Sequence, residues 1–498
     1  MRVCDLAVCQ FSGFEIPTSQ TFMAPLPATK EATFSKKPQT SKPKKVMKGR
    51  KRNDLPAAEV AKEDEQKGVA VADIEDLFSE GETREIRESM LEWYDCNHRK
   101  LPWRRKEAEE IVGEEEKVKR AYGVWVSEVM LQQTRVQTVV DYYNRWMAKW
   151  PTVELLAQAS LEEVNEMWAG LGYYRRARFL LEGAKMIVDE GDGFPSTVAS
   201  LRKVSGIGNY TAGAIASIAF NEVVPVVDGN VIRVLARLRA ISANPKDAAT
   251  VKTFWKLAAQ LVDVHRPGDF NQSLMELGAT VCTPLNPTCS SCPVSSHCRA
   301  LITSKQDNSI PVTDYPTKVM KAKPRNEYSA VCVVEILGYQ ETRKKEVSGS
   351  HFLLVKRPEE GLLAGLWEFP SVLMDKEADL IRRREVTDPF LKKSFGLDPK
   401  RSYKVIERED VGEFVHIFSH IRLKVYVELL VIQLTGEMSD ILPEQKKEVS
   451  WKCVDSKALS GLGLTTGVKK VYLMVQKFKQ SKITMNSPTE RKLKKPRK

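Results

Sequence analysis

Apolar residues between Ile74 and Cys298 recur mostly at intervals of three and four positions, the spacing of one face of an α-helix. Ile86, Met90, Leu91 and Tyr94 show this spacing, and their run ends near Leu101-Pro102. Short polar or Gly/Pro-containing breaks separate the later runs. The mostly charged stretch 106–120 is expected to be a surface excursion. The pattern therefore predicts an all-helical domain, with further helices over about 125–148, 161–168, 174–189, 209–219, 229–240 and 251–264.

Beyond Cys298 the pattern changes to short runs of β-branched residues. Residues 303–326 are polar and contain proline, which is typical of a linker. The runs 330–336, 352–355 and 425–432 are bounded by turn residues and predict strands. The sequence thus indicates a multi-domain chain, with an all-α domain over 76–302 and an α+β domain over 327–480.

The net charge changes this picture mainly at the two ends of the chain. Of the 498 residues 42% are hydrophobic, which is a globular composition, and the formal net charge is +12. Residues 30–52 hold ten cationic side chains and one anionic one, and residues 479–498 hold eight cationic side chains and one anionic one. The rest of the chain has a net charge of −4. We therefore expect 1–75 to be a disordered basic region and 481–498 to be a basic tail. Basic clusters at 42–45 and 50–52 predict a bipartite nuclear signal, whereas neither a secretory signal nor a membrane span is predicted.

Four of the nine cysteines lie within 17 positions, with the spacing C-x6-C-x2-C-x5-C: Cys282, Cys289, Cys292 and Cys298. Nearby prolines bend the backbone, so that several sulfurs can converge on one centre. A structural zinc site and a [4Fe–4S] cluster are both consistent with this spacing. A disulfide interpretation is the weakest, because nothing in the sequence indicates an oxidising compartment.

A short helix, a tight turn and a second helix are predicted between Leu201 and Gly213. Gly206 and Gly208 allow the turn, and the N–H groups that open the second helix, around Thr211, suit a phosphate. A plain helix–helix turn explains the pattern equally well. About twenty residues later, Asp228 is expected to cap the next helix. This hairpin, the aspartate and the cysteine cluster, in that order, resemble the helix-hairpin-helix DNA glycosylase superfamily, which includes endonuclease III and the adenine-specific MutY enzymes.

The helix around Glu128 sharpens the resemblance. Helical spacing places Trp125 and Val129 on a core stripe and Glu128 off it, so in isolation Glu128 is expected to be an ordinary exposed glutamate. The stretch 127–134, SEVMLQQT, nevertheless resembles the adenine glycosylase motif, as do LPWR at 101–104 and GLGYYRRAR at 170–178. The chain therefore resembles the eukaryotic MutY-type adenine DNA glycosylases, enzymes of base excision repair that remove adenine mispaired with 8-oxoguanine.

The resemblance implies a monofunctional glycosylase with a [4Fe–4S] cluster on the four cysteines. Glu128 is expected to be the general acid that protonates adenine and then activates water. Asp228 is expected either to stabilise the oxocarbenium-like sugar or to capture it briefly in a covalent bond. Tyr210 stands where bifunctional relatives carry a lysine, and a tyrosine cannot form a Schiff base. Tyr210 and Asn230 are expected to shape and polarise the site.

Substrate contacts also follow from the resemblance. Four residues are expected near the flipped adenine: Trp103, Arg104, Leu131 and Gln272. Another four are expected to wedge beside or contact the base opposite: Gln133, Thr134, Leu171 and Tyr173. For Trp103 and Tyr173, core packing is the alternative role.

The second domain resembles the Nudix (MutT-like) fold at 351–358 and 365–370. The magnesium-binding acidic cluster is incomplete, because Pro389 stands at its second acidic place and is expected to break the helix. We therefore predict no pyrophosphatase activity. The stretch Phe418-Ser419-His420 resembles the lesion-recognition loop of MutY C-terminal domains, and Ser419 is predicted to contact 8-oxoguanine, although a polar strand end is the alternative.

The implied partner is duplex DNA with an A:8-oxoG or A:G mispair, bound by a monomer. The sliding clamps PCNA and 9-1-1 are weaker predictions, because Val475–Phe478 makes a poor clamp motif. A nuclear location is expected, and a mitochondrial one stays open. Two other functions are carried as alternatives: an endonuclease III-like glycosylase/lyase for oxidised pyrimidines, and a non-enzymatic iron–sulfur DNA-binding protein.

Overall fold

The computed structural model describes residues 77–104, 113–319, 323–338, 349–358, 363–418, 420–435 and 450–486. Its first part is helical, and several helices begin at a polar cap, such as Ser79 and Ser160, each within a capping box. The helices are α1 Glu80–Asn97, α2 Glu114–Leu131, α3 Val136–Lys149, α4 Val153–Ala157, α5 Leu161–Trp168, α6 Arg175–Glu190, α7 Val198–Leu201, α8 Asn209–Phe220, α9 Gly229–Leu238, α10 Ala248–Leu261, α11 Pro267–Thr280 and α12 Arg299–Gln306.

The helical part packs around two hydrophobic cores, which define two lobes. The first lobe contains α2 to α8 around the indoles of Trp125, Trp146 and Trp168. The second contains α1 and α9 to α12, together with the cysteine loop that follows α11. Met275 of α11 packs against both cores, so the two lobes meet along this helix.

Two sequence expectations for this part differ from the structure. The stretch 125–148 is two helices, because the chain turns between Gln132 and Arg135. The charged stretch expected as a surface excursion already belongs to α2 from Glu114 onward, where three glutamates occupy the favourable first turn of the helix. Residues 105–112, like the expected disordered region 1–75, lie outside the described part of the chain.

The second part of the chain is a mixed sheet with helices on both faces. Its strands are β1 Arg325–Leu337, β2 His351–Lys356, β3 Trp367–Glu368, β4 Ser371–Met374, β5 Tyr403–Ile417, β6 Ile421–Leu434 and β7 Trp451–Asp455. The order is β3-β2-β1-β6-β5, with β4 also paired to β1 and β7 to β2; only the β1–β6 pair is parallel among the described strands. The three predicted strand runs all fall within β1, β2 and β6.

Side chains alternate between the two faces of this sheet, and each face has its own core. One face packs against α13, Leu380–Phe395, and the other against α14, Ser456–Gly461, and α15, Thr466–Asn486. The expected helix break at Pro389 is absent, since α13 continues to Phe395. The buried side chains of Thr387, Leu391 and Phe395 hold the helix against the sheet, which outweighs the one backbone hydrogen bond that a proline removes.

The ends of the two domains also differ from the expected bounds. α12 extends to Gln306 and β1 begins at Arg325, so the connection is shorter at both ends than 303–326. α15 continues to Asn486, six residues into the expected basic tail, and 487–498 lie outside the described residues. Val475 is buried in the sheet core and Phe478 packs beside it, so the weak clamp motif serves the fold.

The two domains contact each other directly. Leu366 is buried in the core of the first lobe, and the indole Nε1 of Trp367 donates a hydrogen bond to Glu162 Oε1 at 3.3 Å. A Cβ added to Gly463 would lie 2.6 Å from Glu166 Cα, so this glycine permits close packing on α5. Among the helices described, none is long and apolar enough to cross a membrane.

Candidate active site between the two lobes

Glu128 lies at the centre of the site, and its side chain is buried. α2 is enclosed on all sides from Ala121 to Met130, and only 7% of Glu128 is exposed. The prediction from helical spacing that Glu128 is exposed is therefore wrong, because other parts of the chain pack on more than one face of α2. Burial raises the pKa of Glu128 to about 7, so near neutral pH a large share of this carboxyl group carries a proton.

Tyr210 holds the Glu128 carboxyl group. Its hydroxyl, in the first turn of α8, donates to Glu128 Oε2 at 2.6 Å and lies 3.3 Å from Met275 Sδ. This hydrogen bond favours the ionised glutamate and offsets part of the effect of burial. Burial and the two nearby carboxylates keep the pKa of Tyr210 well above its usual value, so the hydroxyl is protonated and serves as a donor.

Asp228 caps α9, as the sequence predicts. Its Oδ1 accepts from the backbone N–H groups of Asn230 and Val231 at 2.9 and 2.8 Å, and its Oδ2 accepts from Asn230 Nδ2 at 2.7 Å. Burial raises the pKa of Asp228, while these three donors lower it. The charge of Asp228 in turn raises the pKa of Glu128, and both carboxylates raise the pKa of Tyr210, so the two carboxyl groups, one from each lobe, are close enough to interact.

Asn230 is fixed by a second layer of contacts. Its Oδ1 accepts from Arg233 Nη2 at 2.8 Å, and the same arginine donates to the carbonyl oxygens of Gly278 and Cys282 at 2.6 and 2.8 Å. A Cβ on Gly278 would lie 2.6 Å from Asn230 Cβ. Close approach of α11 to the start of α9 therefore sets the position of Asp228.

The residues expected around the adenine are not equally accessible. Trp103 and Leu131 are half-buried against the core of the first lobe, with Trp103 edge-on to Tyr143 at 5.3 Å between ring centroids. Gln272 is buried on α11 and donates to Gly268 O at 3.2 Å. For Trp103, core packing and a pocket wall are thus compatible roles.

Arg104 pairs with Glu276, a partner that the sequence did not predict. Its Nη2 donates to Glu276 Oε2 at 2.7 Å, and Arg99 donates to the same carboxylate through Nε at 2.6 Å and Nη2 at 2.8 Å. Burial alone would raise the pKa of Glu276, but these donors outweigh burial and hold that pKa at about 2. Arg104 therefore ties the LPWR segment to α11, and its charge also lowers the pKa of Glu128.

The four residues expected to meet the opposite base lie on two adjacent loops. Gln133 and Thr134 belong to the first loop, residues 132–135, and Leu171 and Tyr173 belong to the second loop, residues 169–174. Gln133 and Tyr173 are exposed and have positive φ angles of 55° and 49°, which side chains with a Cβ rarely adopt. Leu171 is buried, so it supports the second loop, while nearly half of the Tyr173 surface is exposed.

The predicted hairpin consists of α7, a turn and α8. Gly206 has a φ of 81°, and a Cβ there would lie 2.6 Å from Phe179 Cβ, so the turn requires glycine. The space beside Gly208 is open, as close approach of a phosphate requires. The Thr211 side chain is buried, so its contribution at this helix start is the backbone N–H.

The four cysteines of the cluster line one cavity, together with Arg237 and several apolar side chains. Arg237 Nη1 lies 3.2 Å from Cys282 Sγ and donates to Thr283 O at 2.8 Å. Within the described chain, no three His, Cys, Asp or Glu side chains converge as the ligands of a single ion do. The cavity thus brings all four sulfurs of the cluster to one place.

In the second domain, Phe418 and His420 form the turn between β5 and β6, where Phe418 N donates to Ile421 O at 2.8 Å. Ser419 itself lies outside the described residues. At the incomplete Nudix cluster, residues 384–389, Arg408 pairs with Asp388 at 2.6 Å and with Glu428 of β6 at 3.0 Å. These acidic groups are thus neutralised by arginine.

Sequence reasoning missed the residues that position the site. Glu276, Arg99, Arg233 and Arg176 bind partners distant in the chain, and no local spacing marks them. Arg176 stands inside the GLGYYRRAR motif, but the motif does not distinguish it from its two neighbouring arginines.

Comparison with known proteins agrees with this arrangement. Residues 126–260 match the model of the HhH-GPD superfamily base excision DNA repair proteins, and 346–474 match the NUDIX domain. The chain therefore combines a domain of the HhH-GPD superfamily of base excision DNA repair proteins with a NUDIX domain.

The relatives are more specific. Adenine DNA glycosylase of Arabidopsis thaliana is 62% identical over 421 residues, 80% of this chain and 65% of that protein. The enzymes of Mus musculus and Homo sapiens are 44% and 43% identical, covering 81% and 79% of this chain and 80% and 74% of theirs. The chain thus spans just under two thirds of the Arabidopsis protein. The chain belongs to the adenine DNA glycosylase family.

Proposed function

We propose that this protein hydrolyses the N-glycosidic bond of adenine in duplex DNA, without an amine nucleophile. The observation that carries the proposal is Glu128, a buried carboxyl group with a pKa near 7 that shares one site with Asp228. A general acid acts best when its pKa lies near the working pH. Tyr210, at the place of the lysine of bifunctional relatives, donates a hydrogen bond to Glu128 and supplies no amine.

The reaction follows from these positions. Glu128 gives its proton to N7 of a flipped adenine, the C1′–N9 bond breaks, and the electron pair leaves with the base. The carboxylate of Asp228, facing the site from α9, stabilises the cationic sugar. Glu128, now ionised, takes a proton from the attacking water, and an abasic sugar results. Asn230 keeps one Asp228 oxygen oriented through a 2.7 Å hydrogen bond.

We infer that the adenine stands opposite 8-oxoguanine or guanine. The two loops that carry Gln133, Thr134, Leu171 and Tyr173 lie beside the end of α2, where the helix leaves the catalytic site. Side chains at this place are suited to fill the gap left by a flipped base. Ser419, which lies between β5 and β6 in the sequence, is proposed as a further lesion contact from the second domain.

We also propose that the four cysteines hold a [4Fe–4S] cluster. A single zinc ion needs its ligands at about 2.3 Å, and among the described residues no three ligand side chains converge in that way, whereas four sulfurs around one cavity suit a cluster. The cluster supplies a covalent anchor for the loop after α11. Purified protein should contain iron and sulfide at about four each per chain; zinc at one per chain with no iron would contradict this assignment.

The remaining proposals concern cellular context. A nuclear location rests on the basic clusters at 42–52, and PCNA and 9-1-1 stay predictions. Expression of the full chain fused to a fluorescent protein, with and without substitution of these basic clusters, tests the first.

The deciding experiment uses a duplex with one adenine opposite 8-oxoguanine, followed by hot alkali to cleave abasic sites. Wild-type protein should produce the cleaved strand, and Glu128→Gln should lose it while still binding the duplex. Glu115→Gln, an exposed position on the same helix, is the matched control and should retain activity. A strong borohydride-trapped adduct would favour the endonuclease III-like alternative, and no product from the wild type would favour the non-enzymatic one.

A further inference from the structure

Arg176, in the first turn of α6, is a buried cation whose hydrogen bonds go to two loops of the first lobe. Only 7% of the residue is exposed. Burial lowers its pKa to about 10, so the guanidinium group still carries its charge at neutral pH. Its indole and phenol neighbours, Trp168 and Tyr173, lie 5.2 and 5.5 Å from the guanidinium carbon.

One nitrogen of this guanidinium group closes the end of α2. Nη1 donates to the carbonyl oxygens of Val129 and Met130 at 2.9 Å each and of Gln132 at 2.5 Å. Carbonyl groups in the last turn of a helix lack intrahelical partners and carry partial negative charge, so a cation is favourable there. Arg176 therefore fixes the point at which the first loop leaves the helix that carries Glu128.

The other nitrogen reaches the second loop. Nη2 donates to Gly172 O at 3.1 Å and to Leu171 O at 3.3 Å, and it also lies 3.3 Å from Thr134 Oγ1 in the first loop. One planar group thus bridges both loops. A lysine ammonium cannot reproduce this arrangement, because it lacks two nitrogens held apart in one plane.

The positions of these bonds coincide with the two unusual backbone conformations. Gln133 and Tyr173 have left-handed φ angles, and Arg176 binds the carbonyl oxygen of the residue immediately before each of them, Gln132 and Gly172. Left-handed conformations of residues with a Cβ persist only where surrounding contacts hold them. The same guanidinium group therefore holds both exposed side chains in place.

We propose that Arg176 is a positioning residue that determines specificity for the base opposite the adenine, by holding Gln133 and Tyr173 in a fixed relation to each other. The inference rests on the proposed function and deepens it. Arg176 makes no hydrogen bond among those described to Glu128, Tyr210 or Asp228, so its effect is on recognition of the mispair and not on proton transfer.

The test compares Arg176→Lys and Arg176→Met with wild type on duplexes that carry adenine opposite 8-oxoguanine or opposite guanine. The measurements are KM, the single-turnover rate at saturating enzyme, and its pH profile. In both variants the preference for the 8-oxoguanine duplex should fall about tenfold, mainly because KM for that duplex rises. The pH midpoint set by Glu128 should stay unchanged. Arg178→Lys is the matched control on the same helix, half-exposed and paired to Glu182, and should keep the preference.

Several results would overturn the inference. A variant that loses activity equally on both duplexes, or restoration of full preference by lysine, would indicate a general structural or charge role. Thermal unfolding is measured first, and if one variant does not unfold cooperatively the other decides the comparison. Failure of wild-type protein to release adenine from either duplex refutes the proposed function, whereas wild-type activity with unchanged preference in both variants refutes only the role of Arg176.

Discussion

Removal of the Tyr210 hydroxyl should shift the pH dependence of adenine release to higher pH. In the structure this hydroxyl donates to Glu128 at 2.6 Å and stabilises the ionised carboxylate. A hydrogen bond to a charged group contributes about 1.5–3 kcal/mol, and one pKa unit corresponds to about 1.4 kcal/mol. Tyr210→Phe should therefore raise the pKa of Glu128 from about 7 by roughly one to two units.

The sign of the effect follows from the role of Glu128 as an acid. Its protonated form is the active one, so activity falls as the pH rises through its pKa. In Tyr210→Phe the protonated form persists to higher pH, and the alkaline limb of the rate profile should move upward by the same one to two pH units. The maximal rate is expected to fall as well, because the carboxyl group loses an orienting contact.

The assay is the single-turnover rate of adenine release from about pH 5 to pH 10, with enzyme in excess over duplex. Tyr472→Phe, a buried tyrosine in the core of the second domain, is the control and should leave the limb in place. Glu128→Gln should release no adenine at any pH in this range. A midpoint in Tyr210→Phe that is unchanged, or shifted to lower pH, would refute the assignment of Glu128 as the acid held by Tyr210.

Three further predictions concern stability and geometry. Folding raises the pKa of Glu128 from 4.5 to about 7. The buried carboxylate therefore lowers the free energy of unfolding by about 3 kcal/mol above pH 7 and has no such effect below pH 4.5. In urea unfolding, Glu128→Gln should be more stable than wild type at pH 8 but not at pH 4.5. Glu276→Ala leaves two arginines unpaired and should destabilise the fold by about 3–5 kcal/mol in the same assay near neutral pH, with a smaller difference as the pH falls toward 2. Gly278→Ala places a Cβ 2.6 Å from Asn230 and should slow adenine release by about tenfold or more, because it displaces Asp228. Gly81→Ala on α1, where the nearest neighbour of the new Cβ lies at 4.0 Å, should leave the rate unchanged. Equal rates in the two variants would contradict the role assigned to the contact between Gly278 and Asn230.

The sequence by itself determined the parts of this protein that depend on local patterns. Helical spacing, caps and glycine turns are properties of neighbouring residues, so α5, the hairpin and the cap at Asp228 were predictable. The three strands were predictable for the same reason, since runs of β-branched residues between turn residues favour extended backbone by themselves.

Only the tertiary structure decided the chemistry of the site. Glu128 reads as exposed from its helix alone, and it becomes an acid with a pKa near 7 because α2 is enclosed by other helices and Asp228 arrives from the opposite lobe. Arg176 and Glu276 likewise have no local signature, because their partners lie far along the chain. Burial and electrostatic coupling depend on which surfaces meet, and one-dimensional spacing carries no record of that.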